Sequence, residues 1–576
     1  MFEKSLLAAL AAVQGIHMRL RSTVLFCALM GVGISGPSQA ETAETFRLAD
    51  WEVEASIPRP PLDAVAPLAA TDFGLAAFPP SPLMGEHSQP DPAIAGVPLA
   101  DDEHPDTALA PPPVIPPPSA AELAAIPDDP PSLVENGQPD PAITVQRVAQ
   151  ALQNLLAKAG GERTALQPLA TFYAERRYEP LFVQDGVLSG RGRAVLTRIG
   201  QAGDDGLDPV AFRIVLPEGA RNAESVARLE IALARAVSLY AAQASAGRTD
   251  PAKLSAYFDV HPPRIETAQA LGDLARSSDA TATVEAFNPP HEGFRRLRAK
   301  LIEMRGERRE MSDSPGIRRN ALRERDLVAN LERWRWLPRD LGQAHIWVNS
   351  PTYSVEVMQN GRIIHQTRAV MGRAETQTPI FSDAMSHIVF NPYWHVPHSI
   401  VRRSMLSGAT RNGGYFARRG IQVVQAGRVV DASTINWGAA NIGRYAFRQP
   451  PGAANALGKM KFMFPNRHAI YLHDTPSRQY FGQSYRALSN GCVRVQNPEA
   501  LAEVLLNLGL PGEAWSHGRI QGLYGANERT VRFRQAVPIH LVYFTMTVDS
   551  AGSLVEYEDI YGHNARVRAV LASARS

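Results

Sequence analysis

The apolar positions along this 576-residue chain follow two different periods. From residue 143 to about residue 341 they recur every three to four residues, which is the period of an amphipathic helix. The helices that this pattern predicts are 194–202, 222–247, 293–304 and 317–336. No group of residues suited to catalysis stands out in this helical region, so we expect it to be a scaffold.

From residue 342 onward the apolar residues alternate with polar ones in short runs, which predicts half-buried β-strands. Asn360-Gly361 joins two of these runs and is typical of a type I′ hairpin turn. Asn497 and Pro498 suit the N-cap and first turn of a helix over 499–508. The predicted strands are 345–349, 353–358, 362–367, 387–390, 421–424, 469–472 and 539–548. The fold class is therefore α+β, with a β-rich domain after a mostly helical one.

Proline placement sets the N-terminal part of the chain apart. Of the 45 prolines, 22 lie between residues 51 and 141. Such a stretch lacks backbone N–H donors and a steady apolar face, so we predict a disordered linker over 41–142. Before it, a positively charged segment, an apolar run over 24–34 and small residues up to Ala40 predict a secretory signal peptide over 1–40. A membrane anchor is the alternative, but it needs about 18 or more apolar residues.

Composition narrows the class of protein. With 45% hydrophobic residues and a net charge of +2, the chain has neither a basic tail nor an acidic block, and a nucleic-acid partner is not favoured. Two cysteines are too few for a disulfide framework or a cysteine-based zinc site. Cys27 lies in the predicted signal peptide, so Cys492 is left as a lone thiol. It could pair between chains, stay buried and inert, or act as a nucleophile.

The surroundings of Cys492 suit nucleophilic chemistry. Gly491 lets the backbone turn sharply beside the thiol, and backbone N–H groups at such a turn can hold an oxyanion. Arg494 could lower the pKa of the thiol or bind a substrate carboxylate. His473 ends an apolar run and could take the thiol proton, although a structural histidine is the alternative.

Other candidates lie close by. Asp474 could orient His473 or cap a turn, and we favour the turn. His395 and His398 resemble a metal pair, but their spacing spans a proline and no acidic partner is near, so zinc is not favoured. The neighbouring aromatic pair Tyr393 and Trp394 could belong to the core or to the wall of a cleft. The candidate residues in this group are His395, His398, Tyr393, Trp394 and Asp474.

Together these residues resemble a known family. His473, followed by Ser489-Asn490-Gly491-Cys492-Val493-Arg494, is similar to the signature of the L,D-transpeptidase catalytic domain, which is His, a spacer, then Ser/Thr-x-Gly-Cys-x-Arg. The resemblance covers about residues 145–565 and extends to the long periplasmic subgroup that has a helical scaffold domain. The further matching stretches are Tyr178–Phe182, Asp205–Pro209, Asn330–Pro338, Phe390–Trp394 and Lys461–Asn466.

The resemblance implies roles and an activity. Cys492 would be the nucleophile and His473 its general base and acid. The residues expected to bind the oxyanion or the substrate are Gly491, Arg494, Ser489, Tyr393 and Trp394. Cys492 would cleave a donor tetrapeptide stem of peptidoglycan after its third residue, keep the acyl group as a thioester, and pass it to the amine of a second stem. The product is a 3→3 crosslink, and no cofactor or metal is needed.

The resemblance also implies a domain plan and a location. The scaffold would span 143–341 and the catalytic domain 342–570, with a capping insertion over 402–467. The protein would be exported by a Sec-type signal to the periplasm, without a stable membrane span, and carbapenem-type inhibitors would acylate it. Release of the acyl group by water, its transfer to a lipoprotein lysine, and an inactive wall-binding scaffold are the alternative functions.

Two features depart from the family pattern. Asn490 stands where many members have His or Lys, so we assign it no proton-transfer role. The subgroup's small peptidoglycan-binding module is absent, because only about residues 304–325 fill its place. Wall binding would then rest on the scaffold, the cleft or the linker.

Overall fold

The structure is a computed structural model that describes residues 140–158, 163–214, 222–310 and 317–573. The predicted signal peptide and nearly all of the predicted linker lie outside these residues. The helices are α1 (Val145–Lys158), α2 (Arg163–Glu175), α3 (Gly190–Gly200), α4 (Ala223–Ala246), α5 (Pro251–Leu254), α6 (Thr267–Arg276), α7 (Ala280–Glu285), α8 (Glu292–Glu310), α9 (Ile317–Trp334), α10 (His398–Ile400), α11 (Leu406–Arg411), α12 (Tyr415–Arg418), α13 (Pro498–Gly509), α14 (His517–Gln521) and α15 (His563–Ser573).

Helix α4 shows how the predicted apolar stripe folds. The Asn222 side chain accepts the backbone N–H of Ser225, and the Ser225 hydroxyl accepts that of Asn222, so the two residues form a capping box. Gly247 ends the helix at a φ of 89°, which favours glycine. The stripe residues Leu233, Val237 and Tyr240 are fully buried. The helix predicted over 222–247 is confirmed, and so are the other three, with their ends shifted to those of α3, α8 and α9.

A buried carboxylate on α4 holds the Tyr178–Phe182 stretch. Glu230 accepts the Tyr173 hydroxyl at 2.6 Å and the backbone N–H groups of residues 181–183 at 2.6 to 3.0 Å. A charge taken out of water must find such donors, because its desolvation otherwise costs several kcal/mol. This stretch of the family resemblance is therefore structural and lies within the helical part of the molecule.

The strands are β1 (Val183–Gln184), β2 (Val187–Leu188), β3 (Ala344–Asn349), β4 (Ser354–Gln359), β5 (Arg362–Gly372), β6 (Phe381–Phe390), β7 (Trp394–His395), β8 (Gln422–Gln425), β9 (Arg428–Val430), β10 (Ala446–Gln449), β11 (Met460–Met463), β12 (Leu472–His473), β13 (Ala487–Ser489), β14 (Val493–Val495), β15 (Arg529–Val542), β16 (Met546–Val548) and β17 (Leu554–Glu556). Nine of them form one mixed sheet in the order β13-β5-β14-β12-β11-β6-β15-β3-β4. The α+β fold class is confirmed.

The turns of this sheet follow the sequence closely, with two differences. Asn360 and Gly361 both have positive φ, 52° and 73°, as a type I′ turn between β4 and β5 requires. The strand predicted over 469–472 is shorter, because Ala469 has a φ of 52° and only Leu472 belongs to β12. Asn497 occupies the N-cap position of α13, but its side chain makes no capping hydrogen bond.

A small second sheet forms a separate lobe, which we call the cap and define as residues 394–449. Its strands run in the order β7-β10-β8-β9, and its own apolar core includes Phe416, Trp437 and Phe447. The predicted insertion over 402–467 is drawn too far toward the C-terminus, because β11 (Met460–Met463) is an inner strand of the nine-stranded sheet. We propose 394–449 as the extent of the insertion.

The Asn330–Pro338 stretch joins the helical and β-rich parts. Asn330 and Thr545 exchange two hydrogen bonds of 3.0 Å, one from the backbone N–H of Thr545 and one from the Asn330 amide. From the same stretch, Arg335 donates to the backbone carbonyl of Asp205 in the scaffold at 2.6 Å. Because one short segment bonds to both parts, it fixes how they are connected. Among the described residues, no helix is both long and apolar enough to cross a membrane.

Three buried histidines lie near this junction. His291 bonds to the carbonyl of Pro338 and His540 to that of Leu341, each at 3.0 Å through Nε2. Burial lowers the pKa of His291 and of His540 to about 4, and that of His563 to about 3. All three are therefore neutral in the folded protein at pH 7.

We predict that the fold loses stability in mild acid. In the unfolded chain these histidines titrate near pH 6.5, so below that pH the unfolded state binds more protons than the folded one. The free energy of unfolding in urea should fall by roughly 2 kcal/mol per histidine on going from about pH 7.5 to about pH 5. His540→Gln should remove part of this difference, whereas His261→Gln, on the surface, should not. Equal stability at the two pH values would contradict the prediction.

Candidate active site

Three neighbouring strands place the predicted catalytic residues on one face of the large sheet. Parallel pairing of β12 with β14 sets His473 beside Arg494, and antiparallel pairing of β11 with β12 sets Lys461 beside His473. Side chains alternate along a strand, so Cys492, two residues before Arg494, lies on the same face. Leu472 and Val493, which alternate with these residues along β12 and β14, are fully buried in the core on the opposite face.

A tight turn presents Cys492 between β13 and β14. Gly491 has a φ of 118°, which favours glycine, and an added Cβ would lie 3.2 Å from the Ile470 side chain. The buried Ser489 hydroxyl accepts the N–H of Gly491 at 3.0 Å and donates to the carbonyl of Cys492 at 2.6 Å. The N–H of Gly491, predicted to bind the oxyanion, is thus already bonded within the turn. The Ser489 side chain therefore stabilises the turn.

The loop after β5 supports the same turn. The Thr378 hydroxyl donates to the carbonyl of Gly491 at 2.8 Å and accepts the N–H of Gly372 at 2.9 Å. The Thr376 hydroxyl donates to the carbonyl of Ser489 at 3.1 Å. Both threonines position the nucleophile without touching it. No motif in the sequence marks them, so sequence reasoning missed both.

Asn490 has a structural partner in this loop. Its side-chain oxygen accepts a hydrogen bond of 2.8 Å from the Arg373 guanidinium. A side-chain amide does not act as an acid or a base near neutral pH, which agrees with our assigning Asn490 no role in proton transfer. Arg373 also adds a cation near the mouth of the site.

The sulfur of Cys492 is poorly solvated, although the residue as a whole is only half-buried. The thiol points toward the carbonyl of Ala469 at 3.8 Å, and Tyr471 reaches the sulfur with its hydroxyl and its backbone. Burial raises the pKa of the Cys492 thiol to about 11, although the hydrogen bonds from Tyr471 and the charge of Arg494 lower it in part. At pH 7 Cys492 is therefore a protonated thiol.

His473 is held as a neutral base. Its Nδ1 lies 2.5 Å from the backbone carbonyl of Asp474, which can only accept, so Nδ1 carries the proton and Nε2 keeps its lone pair. Burial, and then the charge of Arg494, lowers the pKa of His473 to about 3. A buried neutral imidazole whose Nε2 carries a lone pair can accept a proton. It does not form an ion pair with the Cys492 thiol in the resting site.

Asp474 stabilises the turn after His473. Its carboxylate accepts the N–H of Thr475 at 2.7 Å and that of Lys459 at 2.8 Å, and pairs with Arg478. The carboxylate makes no hydrogen bond to the His473 ring, which is bonded to the backbone of Asp474 instead. The interpretation of Asp474 as a turn residue is confirmed.

Arg494 presents a partly buried cation beside the nucleophile. Its guanidinium lies over the ring of Tyr480, 5.8 Å from the centroid. The buried Nε has no hydrogen-bond partner among the described residues. A guanidinium with unused donors suits a carboxylate ligand.

The aromatic pair lies at the border between the cap and the site. The Trp394 side chain lies close to the Tyr471 hydroxyl, which lies close to the Cys492 sulfur. Tyr393 lies one step farther away, under the guanidinium of Arg448 at 5.5 Å. Trp394 therefore lies nearer the nucleophile than Tyr393.

Tyr471 is the residue beside the sulfur that sequence reasoning missed. It lies two residues before His473, so the strand period of two already placed both side chains on one face. The centroids of their rings are 5.8 Å apart, and the ring planes make an angle of 60°. Of the two histidines whose spacing resembles a metal pair, His398 bonds through Nε2 to the carbonyl of Tyr445.

The scaffold contacts both segments that carry the site. Ile380, just after the loop that supports the turn, exchanges backbone hydrogen bonds of 2.8 and 2.9 Å with Tyr257 and Asp259. The Asp259 carboxylate accepts from His468 Nε2 at 2.8 Å and from Arg467. The segment 467–471 leads directly into β12, so scaffold residues fix the approach to both catalytic strands.

Comparisons with known proteins identify the two parts of the chain. Residues 167–301 match the family model described as a scaffold domain, and residues 343–518 match that of the L,D-transpeptidase catalytic domain. A Haemophilus influenzae protein named "Putative L,D-transpeptidase" is 32% identical over 244 residues, which are 42% of this chain and 48% of that protein. The chain thus matches about half the length of this curated relative. The predicted family resemblance is confirmed.

Two solved structures are also similar in part. An L,D-transpeptidase from Mycobacterium smegmatis is 13% identical and has a TM-score of 0.18, with 35% of this chain and 58% of that one covered. The structure titled "Structure of the Ldtfm-avibactam carbamoyl enzyme" is 10% identical and has a TM-score of 0.17, with 36% and 51% covered. TM-scores this low support no statement about the fold or the site.

We predict that the thiol of Cys492 reacts slowly at neutral pH. In a Cys27→Ser background, the rate of iodoacetamide alkylation should rise about tenfold per pH unit and level off only near pH 11, because the thiolate is the reactive form. A plateau already at pH 7 to 8 would contradict the raised pKa. Mass spectrometry of the intact protein gives the rate.

Tyr471→Phe tests the hydrogen bond to the sulfur. Removing a donor to the thiolate should raise the pKa of Cys492 further and slow alkylation at pH 8 by roughly two- to tenfold. Tyr393→Phe, which removes a hydroxyl without contact to the sulfur, is the matched control and should react like the unaltered protein. Equal rates for the two variants would mean that Tyr471 does not stabilise the thiolate.

Proposed function

The chain carries an L,D-transpeptidase catalytic domain, and from this premise we propose that it forms 3→3 crosslinks between the stem peptides of peptidoglycan. The observation that carries the proposal is the shared sheet face of Cys492 and His473, with the His473 Nδ1–H donated to the carbonyl of Asp474. That arrangement offers a nucleophile and a base with its lone pair free, which are the two groups that acyl transfer requires.

In the first step the Cys492 sulfur attacks the carbonyl of the third stem residue while Nε2 of His473 takes the thiol proton. The tetrahedral oxyanion collapses, the bond to the terminal D-Ala breaks, and His473 gives its proton to the leaving amine. Because the pKa of the thiol is raised and that of the imidazole lowered, proton transfer accompanies the attack rather than preceding it. The enzyme keeps the acyl group as a thioester.

In the second step the amine of another stem attacks the thioester. It gives a proton to His473, and the proton returns to the departing sulfur, which restores the thiol. With the N–H of Gly491 bonded to Ser489, we assign the oxyanion to the N–H of Cys492 and to the Tyr471 hydroxyl, which already points at the sulfur. Arg494 lies where it can bind a carboxylate of the donor stem.

The export route belongs to the same proposal. The signal peptide over 1–40 and the linker over 41–142 would deliver the catalytic domain to the periplasm, where the wall is built. Hydrolysis of the thioester would make an L,D-carboxypeptidase, and a lysine acceptor would attach a lipoprotein. The same acyl-enzyme serves all three outcomes, so the products decide between them.

Incubation of the purified protein with tetrapeptide muropeptides tests the proposal. Mass spectrometry should show the crosslinked dimer together with free D-Ala, and Cys492→Ala should abolish both. His473→Gln should slow acylation by a carbapenem by about 10²–10⁴-fold. Tripeptide without dimer would indicate a carboxypeptidase, and identical products from the Cys492→Ala variant would refute the mechanism.

A further inference from the structure

The cap differs in charge from the rest of the chain. Residues 394–449 contain eight arginines, one aspartate, and neither lysine nor glutamate, which gives a net charge of +7. The whole chain carries only +2, so the residues outside the cap carry a net −5. The net positive charge of the chain thus lies in about a tenth of its sequence, in the cap that borders Cys492.

These arginines are available to an external partner. Seven of the eight are exposed, and the eighth, Arg448, is half-buried. Within the part of the chain that the structure describes, none of them is paired with a carboxylate. Cations that are not neutralised by a paired carboxylate set up a positive field that attracts an anionic ligand. The eight residues are Arg402, Arg403, Arg411, Arg418, Arg419, Arg428, Arg444 and Arg448.

The positive surface continues into the catalytic cleft. Arg448 pairs in register with His395, next to Trp394, and Trp394 reaches the Cys492 sulfur through the Tyr471 hydroxyl. Inside the cleft, Lys461 and Arg494 flank His473 on the sheet face that carries the nucleophile. An anionic polymer lying on the cap would therefore have cations at both ends of this path, Arg448 on the cap and Arg494 beside Cys492.

We propose that the cap arginines bind the peptidoglycan itself, by pairing with the free carboxylates of its stem peptides while one stem enters the cleft. This inference rests on the proposed function. Stem carboxylates repeat along each glycan strand, so several weak contacts act together. Arginine binds carboxylates with two parallel hydrogen bonds, which suits this role better than lysine. The cap thereby supplies the wall contact that residues 304–325 are too short to provide.

The test compares two variants of the full-length protein for binding to purified, insoluble peptidoglycan. Each variant changes to glutamine five exposed cations whose side chains make no hydrogen bond, ion pair or cation–π contact among the described residues. The cap variant carries R402Q, R403Q, R411Q, R428Q and R444Q. The scaffold control carries K158Q, R177Q, R213Q, R235Q and K253Q. Both lose the same charge, so only its position differs.

In a pelleting assay at low salt, the cap variant should bind about tenfold less than the unaltered protein, and the scaffold control within about twofold of it. Binding of the unaltered protein should weaken as salt is added. Peptidoglycan whose carboxylates have been amidated should bind the unaltered protein no better than untreated peptidoglycan binds the cap variant. A third variant with lysine at the five cap positions should recover most of the binding.

Three results would overturn the inference: equal binding by the cap and scaffold variants, full binding to amidated peptidoglycan, or a loss confined to anionic phosphatidylglycerol vesicles, which would make the cap a membrane-binding surface. Carbapenem acylation of Cys492, measured in parallel, should be equal in all variants and shows that the site is folded. Failure of the unaltered protein to acylate counts against the proposed function, whereas a binding difference without an acylation difference concerns the cap alone.

Discussion

The short parallel pairing of β12 with β14 is the constraint on which the site depends. It joins only Leu472 to Val493 and His473 to Arg494, yet it fixes which side chains share a face. A slip of one residue would send His473 into the core and bring Leu472 to the cleft. The pairing is held from outside by the Ser489 turn on one side and by the Asp474 turn on the other. The backbone register of this pairing therefore sets the positions of the side chains in the site.

One physical cause acts on both reacting groups in opposite directions. Poor solvation penalises the charged form, so it raises the pKa of Cys492 and lowers that of His473. Arg494 lowers the pKa of both groups, which helps the thiolate but hinders the imidazolium. Both groups are therefore neutral at rest, and in the mechanism that we propose they become charged only when a substrate carbonyl is in place to receive the sulfur. A neutral thiol is also oxidised less readily than a thiolate, which would protect Cys492 in the periplasm that we propose as its location.

Local rules explain what the sequence could predict. The helix over 222–247 and the hairpin turn at Gly361 each depend on a few adjacent residues, and both were predicted. The Thr378 bond to Gly491 spans 113 positions, and the Asp259 bond to His468 spans 209, so neither leaves a local signal. The hydrogen bond from the Gly491 N–H to the Ser489 hydroxyl likewise forms only in the folded turn. Roles that depend on contacts between distant segments were the ones that the sequence could not assign.

The scaffold and the cap support the site from two different segments of the chain. The scaffold acts through Tyr257 and Asp259, which exchange backbone hydrogen bonds with Ile380, and the Asp259 carboxylate also accepts from His468. Such contacts rigidify the strands that carry the catalytic groups. The cap instead offers exposed arginines and one relay through Trp394, which leaves its surface free for an extended ligand. A rigid support and an open charged surface would serve different needs in the function that we propose, because acyl transfer requires fixed geometry while an insoluble polymer has to be bound along its length.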